Sequence, residues 1–378
     1  HAGRDDLLLA ALARGTTVAG VFTQSATASA PVQWSRKIAD AGRARAILIN
    51  SGNANTFTGV QGIADVRTTA AMAAQAVGCR SHEVLIASTG VIGEPLPVAR
   101  FEPALARMRR SSRQASWLQA ARAIGTTDTY PKGSTRQARI GNRVVTLCGI
   151  AKGSGMIAPD MATMLAFVFT DACLPAPLLR VLLHSGVARS FNCITVDSDT
   201  STSDTVLLAA TAQAGNRVPR SASAAELKDF RRALNELLTD LAIQVGRDGE
   251  GASKFITVDV TGAGSPGSAR KAALAIANSP LVKTAIAGED ANWGRVVMAV
   301  GKSGVRLDQR CLSVAIGGVL IAREGERVTG YDETKVSAHL SGEQICIAVN
   351  LGIGRARSRV WTCDLTHDYI RINADYRT

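Results

Sequence analysis

Short apolar runs alternate with helix-like stretches along this chain, and this alternation limits the folds that are open to it. Residues 46–50, 84–87 and 144–150 are apolar, and each run is long enough for one buried strand. Residues 61–77 are rich in alanine with few helix-breaking residues, which predicts a helix between the first two strands. Strands and helices that follow one another in this way are typical of layered α/β or α+β folds.

The alternation continues through the second half of the chain. The patterns predict helices over residues 177–190, 224–245 and 270–278, and strands over residues 164–170, 254–260, 296–300, 311–316, 344–351 and 358–363. Ser223 is expected to cap the second of these helices, with Glu226 completing a capping box. A chain of 378 residues suggests two domains, and a second, smaller one is expected to begin in the Gly/Ser-rich stretch 262–268.

The charge balance is basic, with 43 Lys and Arg against 31 Asp and Glu and a net charge of +12. Such a balance can indicate a nucleic acid or a membrane surface as partner. The densest basic cluster, however, lacks interleaved aromatic residues that could stack on bases; it consists of Arg107, Arg109, Arg110 and Arg113. No apolar run approaches the roughly 20 residues of a membrane helix. We therefore expect neither nucleic acid nor membrane as partner, and a non-catalytic RNA-binding protein is the alternative from another class.

Cysteine and carboxylate spacing argues against metal and disulfide chemistry. Seven cysteines are an odd number without a CxxC pair, which fits reduced, buried thiols in a cytoplasmic protein. Asp197, Asp199 and Asp204 could hold a cation, but the calcium-loop spacing is absent, so we expect them to cap turns through backbone N–H groups. The glycine-rich segments after Lys152 and at 262–267 do not complete a phosphate-binding or dinucleotide-binding motif.

The most informative stretch covers residues 152–167 and reads KGSGMIAPDMATMLAF. Its glycines and Pro159 lead tightly into Ala162 and Thr163, at the start of a predicted strand. A hydroxyl held against its own preceding carbonyl can attack it in an N→O acyl shift, and hydrolysis of the ester then leaves Thr163 as a new N-terminus. The freed amine serves as base for the adjacent hydroxyl, so that one residue supplies both nucleophile and base. An ordinary strand threonine is the alternative interpretation.

Eight further blocks of sequence accompany this stretch along nearly the whole chain. They are NSGNAN at 50–55, ASTGVIG at 87–93, TTDT at 126–129, SFNCITVD at 190–197, GRDGEGA at 246–252, NSPLVKTA at 278–285, NWGR at 292–295 and INADYRT at 372–378. One such block is weakly specific. Together and in this order they closely resemble the ornithine acetyltransferase family, the glutamate N-acetyltransferases of the arginine pathway.

The resemblance implies roles for individual residues. Cleavage would fall between Ala162 and Thr163, Thr163 would be the nucleophile, and Thr89 and Gly90 would form the oxyanion hole. The substrate-binding positions that it implies are Thr126, Lys152, Thr163, Glu250, Asn373 and Thr378. Among these, Lys152 suits an α-carboxylate and Glu250 suits a cationic amine. No metal is implied.

The resemblance also implies the reaction. The acetyl group of N2-acetyl-L-ornithine would pass to Thr163 and from there to L-glutamate. No cofactor is expected, and acetyl-CoA stays open as a second acetyl donor. The alternatives among enzymes are a related N-terminal-nucleophile amidohydrolase or aminopeptidase, in which water accepts the acyl group, and a specialised paralogue of a secondary pathway.

The fold that the family implies is a layered α-β-β-α sandwich of the N-terminal-nucleophile kind with a second, smaller α/β domain. Self-cleavage would produce an alpha chain of residues 1–162 and a beta chain of residues 163–378, which stay associated and form (αβ) oligomers such as a heterotetramer. Residues 163–262 would complete the main domain, and residues 263–378 would form the smaller one. The expected location is the cytoplasm, or the mitochondrial matrix if the source is eukaryotic.

Overall fold

A computed structural model describes residues 5–111, 114–158 and 164–375 of the chain. It divides into two compact units. The first contains the residues up to Asn192 together with Asp199–Val245, and the second contains Cys193–Ser198 together with the residues from Gly246 onward. The sequence placed the start of the smaller domain at residue 263, whereas the strand Phe255–Ala263 already belongs to the second unit.

The first unit carries two sheets and their helices. Its strands are β1 (Leu7–Ala11), β2 (Thr17–Phe22), β3 (Ala46–Asn53), β4 (Val84–Val91), β5 (Lys132–Ile140), β6 (Arg143–Lys152), β7 (Leu165–Thr170) and β8 (Thr205–Ala210). Its helices are α1 (Ala30–Ala41), α2 (Gly59–Val77), α3 (Phe101–Arg110), α4 (Trp117–Ile124), α5 (Ala176–Val187) and α6, which spans Lys228–Arg247. One sheet has the order β1-β3-β4 and the other the order β2-β8-β7-β6-β5.

Alternation of side chains along β3 shows how the layers of the first unit are stacked. Ile47 points into a core that it shares with Phe167 of β7 in the other sheet, so the two sheets face each other. Leu48 points to the opposite side, into a core that contains Val66 of α2 and residues of α3. Beyond the five-stranded sheet, a Cβ at Gly149 of β6 would lie 2.8 Å from Leu241 of α6. The order helix, sheet, sheet, helix confirms the α-β-β-α sandwich.

The second unit is built around one mixed sheet. Its strands are β9 (Phe255–Ala263), β10 (Ser313–Ile316), β11 (Val319–Arg323), β12 (Glu326–Arg327), β13 (Gln344–Asn350) and β14 (Ala356–Cys363), in the order β12-β11-β10-β13-β9-β14. Its helices are α7 (Pro266–Ala277), α8 (Pro280–Ala287), α9 (Trp293–Gly301), α10 (Glu333–Leu340) and α11 (His367–Ala374). A second α/β unit is therefore present, as predicted.

Two local predictions are wrong. The apolar run at 296–300 is part of helix α9 rather than a strand, because its buried residues Val296, Ala299 and Val300 are spaced three and four apart. Ser223 does not cap a helix, since residues Ala225–Leu227 form a 3-10 turn before α6 and the Ser223 hydroxyl pairs with that of Ser221.

The structure also tests the predictions about cysteine burial and membrane-spanning helices. All seven cysteines are free thiols, but only Cys193 and Cys363 are buried, and Cys311 is exposed. Burial was thus predicted for more thiols than show it. Within residues 5–111, 114–158 and 164–375, none of the helices has the length and apolar character needed to span a bilayer.

Candidate active site

Thr89 and Gly90 lie near the carboxyl end of β4, inside the strand, which extends beyond the apolar run 84–87. There β4 pairs in parallel with β3, and Gly90 lies opposite Gly52. Gly90 has a φ of +132°. A Cβ at this position would lie 2.2 Å from the carbonyl carbon of Gly52 and 2.5 Å from the nitrogen of Asn53. Only glycine allows this close approach of the two strands.

A buried lysine contacts the first of these residues. Lys152 ends β6 and is 3% exposed, and its Nζ donates a hydrogen bond of 3.0 Å to Oγ1 of Thr89, which is also 3% exposed. An ammonium group can only donate, so the Thr89 hydroxyl is the acceptor here and keeps its own proton for another acceptor. A hydroxyl beside a cation is suited to receive developing negative charge.

Asp128 connects the Lys152 strand end to the TTDT block. Its Oδ1 accepts hydrogen bonds from Lys132 Nζ at 2.6 Å and from the Gly153 N–H at 2.7 Å. Its Oδ2 accepts from the Thr126 N–H at 2.9 Å. Burial alone would raise the pKa of Asp128, but the charges of Lys152 and Lys132 and the Gly153 N–H outweigh it and lower the pKa to about 2. Asp128, whose side chain is 6% exposed, is therefore an ionised carboxylate at neutral pH.

The structure brings the predicted residue Thr126 close to the loop that follows Lys152. Besides the Asp128 contacts, the Thr127 hydroxyl hydrogen-bonds that of Ser154 at 2.7 Å. In the first unit, therefore, Thr89, Gly90, Thr126 and Lys152 belong to one polar cluster. Asp128 and Lys132 hold this cluster together and were not among the predicted site residues. The signal for Asp128 was present, because it is the only charged residue of the TTDT block.

Glu250 and Asn373 meet in the second unit. Asn373 Nδ2 donates to Glu250 Oε2 at 3.0 Å and to the carbonyl of Tyr369 at 3.0 Å. Glu250 precedes Gly251, where a Cβ would lie 2.4 Å from the Tyr369 nitrogen, so the chain passes very close to helix α11. This close contact places the Glu250 carboxylate beside the Asn373 amide, and their role in substrate binding stays a prediction.

The remaining predicted residues, Ala162, Thr163 and Thr378, lie outside the described residues. The chain resumes at Met164, and its N–H donates to Oδ1 of Asp204 at 2.8 Å. Lys152 pairs with Leu165 in the β6–β7 ladder, so the Thr89–Lys152 pair lies beside the point where the chain enters β7. Asp204 was predicted only as a turn residue. No metal-like group of three or more His, Cys, Asp or Glu occurs in the part of the chain that the structure describes.

The layered fold and this polar cluster together define a class, that of α-β-β-α proteins in which a buried lysine hydrogen-bonds a threonine beside the start of a central strand. The ArgJ family model matches residues 1–378. The arginine biosynthesis bifunctional protein of Brucella suis is 54% identical over 381 residues, which cover 100% of this chain and 92% of that protein. The protein of the same name from Gluconobacter oxydans is 55% identical over 378 residues, covering 100% and 89%.

A solved structure of the arginine biosynthesis bifunctional protein from Bacillus halodurans is 43% identical, with a TM-score of 0.53, and covers 55% of this chain and 97% of that chain. The chain belongs to the ArgJ family, which confirms the family predicted from the sequence blocks. It is a biosynthetic enzyme, as the sequence predicted, and the acyltransferase class is consistent with these relatives.

Proposed function

We propose that the protein is a self-processing acetyltransferase that moves the acetyl group of N2-acetyl-L-ornithine to L-glutamate. Its curated relatives, which align with 100% of this chain, are named for arginine biosynthesis. The observation that carries the proposal is the 3.0 Å bond from Lys152 Nζ to Thr89 Oγ1, beside the strand that Thr163 precedes. It supplies a buried cation and a hydroxyl donor where an oxyanion would form.

The first reaction is self-cleavage at Thr163. The Thr163 Oγ attacks the carbonyl carbon of Ala162, the peptide C–N bond breaks, and the hydroxyl proton goes to the leaving amine. Water then hydrolyses the ester, which yields the Ala162 carboxylate and restores the Thr163 hydroxyl.

Acetyl transfer then uses the same hydroxyl. The Thr163 amine takes the proton from Oγ, which attacks the acetyl carbonyl of N2-acetyl-L-ornithine. The oxyanion is held by the Thr89 hydroxyl and the Gly90 N–H, and ornithine leaves with the proton. The amine of L-glutamate attacks the acetyl-Thr163 ester in the reverse sense, which releases N-acetyl-glutamate and regenerates the hydroxyl. Acetyl-CoA is proposed as a second donor, because a hydroxyl that accepts an acyl group from an amide can also accept one from a thioester. The relatives are named bifunctional.

The residues proposed to bind the substrates are assigned to substrate groups of complementary charge or polarity. Lys152 carries a positive charge at the site and suits an α-carboxylate. Glu250, held by Asn373, suits the side-chain amine of ornithine. Thr126 and Thr378 are proposed as further polar contacts. The alpha and beta pieces are proposed to stay together and to form (αβ) oligomers, and the cytoplasm is the compartment that the bacterial relatives suggest.

The test is the mass of the purified protein under denaturing conditions. Two pieces are expected, the larger beginning at Thr163, whereas Thr163→Ala should stay whole. The processed enzyme should transfer acetyl from N2-acetyl-L-ornithine to L-glutamate, and Thr163→Ala should not. A wild-type chain that stays whole and is fully active would refute the assignment of Thr163 as an N-terminal nucleophile. Release of free acetate at an unchanged rate without glutamate would instead indicate an amidohydrolase.

A further inference from the structure

Asp204 is a fully buried carboxyl group that the proposed reaction does not yet use. It directly precedes β8 and is 0% exposed. Its Oδ1 accepts the Met164 N–H at 2.8 Å, while its Oδ2 has no hydrogen-bond partner among the described residues. Buried polar atoms nearly always have a partner, so an aspartate that uses one oxygen only calls for a functional explanation.

The contact fixes the backbone at one particular place. The Met164 N–H is bound by Asp204 Oδ1, and the Met164 carbonyl accepts the Thr205 N–H at 3.1 Å. Both backbone polar groups of Met164 are thus hydrogen-bonded by the consecutive residues Asp204 and Thr205. This is the point where β7 and β8 begin their parallel pairing. The Met164 nitrogen also belongs to the planar peptide unit that contains the Thr163 carbonyl. Whatever holds this nitrogen therefore restrains the backbone of the proposed nucleophile.

The direction in which the pKa of Asp204 is shifted suits this position. Burial raises this pKa well above the usual range, and the Met164 N–H, the Lys152 charge and the Thr23 hydroxyl only partly oppose the rise. The hydroxyl of Thr23, the residue after β2, also lies near Asp204, but it donates its single proton to the Ser201 carbonyl at 2.6 Å. A raised pKa favours the protonated form, and a protonated Asp204 would accept the Met164 N–H without adding a negative charge next to the backbone of the proposed nucleophile.

We propose that Asp204 is a positioning residue for Thr163, which holds the peptide unit after the nucleophile during self-cleavage and acetyl transfer. The inference rests on the proposed function, since it assigns a helper to that same nucleophile. Its physical basis is the geometry of attack, because a displacement of about 1 Å at a reacting group can cost roughly 100-fold in rate.

The experiment follows the intact mass of freshly purified full-length chains over time. Asp204→Asn keeps an acceptor oxygen and should be processed close to the wild-type rate, whereas Asp204→Ala should be slower by roughly 10- to 100-fold. Leu208→Ala is the matched control. Leu208 lies on β8, which Asp204 precedes, and is 0% exposed. It lies opposite Val168, so its truncation removes packing away from the Met164 contact. It should be processed near the wild-type rate. If Asp204→Ala does not fold, Asp204→Ser is used, because its shorter side chain does not reach the Met164 N–H.

A kinetic measurement separates positioning from general stability. In processed enzyme, loss of the Met164 contact should lower kcat and leave KM for glutamate unchanged. The inference is overturned if Asp204→Ala and Leu208→Ala are processed equally fast, or if Asp204→Asn is as slow as Asp204→Ala, which would make the proton or charge of Asp204 essential. A wild-type chain that is never cleaved would refute the proposed self-cleavage itself, whereas normal wild-type cleavage with an unaffected Asp204→Ala refutes only the present inference.

Discussion

At the scale of single residues, the two buried lysines beside Asp128 have different tasks. Both charges stabilise the Asp128 carboxylate, but the contact to Thr89 is made by Lys152. Lys152→Met should therefore lower acetyl transfer by roughly 100- to 1000-fold, as removal of an oxyanion-hole group does. Lys132→Met is the control, because it removes a similar buried charge from the same aspartate. The measurement is the steady-state rate of acetyl transfer by both folded variants. Equal losses of this rate in the two variants would contradict a specific role for Lys152.

Asp128 also links the site to stability in acid. Its pKa of about 2, against an ordinary 3.8, means that the folded state holds the ionised form more strongly than the unfolded state does. The stabilisation, about 2 kcal/mol, is complete above about pH 5 and is lost as the pH falls towards 2. Asp128→Asn should thus be less stable than wild type in urea unfolding at pH 7, with a difference that shrinks below pH 4.

Asp204 provides a control of opposite sign for this measurement. The pKa of Asp204 is raised in the folded state. The wild type therefore loses stability as the pH rises above the pKa of an ordinary aspartate. Asp204→Asn should therefore improve relative to wild type with rising pH, whereas Asp128→Asn worsens. If the stability of both variants relative to wild type changes in the same direction with rising pH, one of the two pKa shifts is wrong.

At the scale of secondary structure, the contact between β3 and β4 sets the shape of the candidate oxyanion site. Gly90→Ala would push a Cβ into the backbone of Gly52 and Asn53, so the strands must separate. Gly93→Ala is a matched control, because Gly93 also has a positive φ, of +85°, but its Cβ would meet nothing within 4 Å. We expect Gly90→Ala to be less stable than Gly93→Ala by about 1–3 kcal/mol and to lose most activity. Thermal unfolding and the transfer assay on both variants test this, and similar losses would contradict it.

The elements also show which parts of this protein can be predicted from the sequence. Strands buried on both faces, such as β3 and β7, are continuous apolar runs and were predicted within a few residues. The edge strand β5 was not predicted, because its exposed alternate residues make it read as a polar segment. The burial of Lys132 and of Asp204 was not predicted for a related reason. Burial of a charged side chain depends on residues far away in the chain, which local patterns do not report.

At the scale of the whole molecule, the proposed cut would pass through one sheet rather than between two bodies. In the order β2-β8-β7-β6-β5, the beta piece supplies β7 and β8, and the alpha piece supplies the strands on both sides of them. The β6–β7 ladder extends from Leu147 opposite Thr170 to Lys152 opposite Leu165, and β2 pairs with β8 along its whole length. A broken peptide bond therefore leaves these ladders and the shared core intact.

Processed protein should accordingly behave as one particle until it unfolds. Under native conditions the two pieces should elute together in size-exclusion chromatography, at a mass no lower than the 39.5 kDa of the uncut chain. They should separate only at the denaturant concentration at which circular dichroism reports loss of the sheet, because separation must break two strand ladders and expose Phe167 and Leu207, both 0% exposed. Uncut Thr163→Ala is the control for the native elution position. A beta piece that elutes alone while the sheet signal persists would contradict the interleaved sheet.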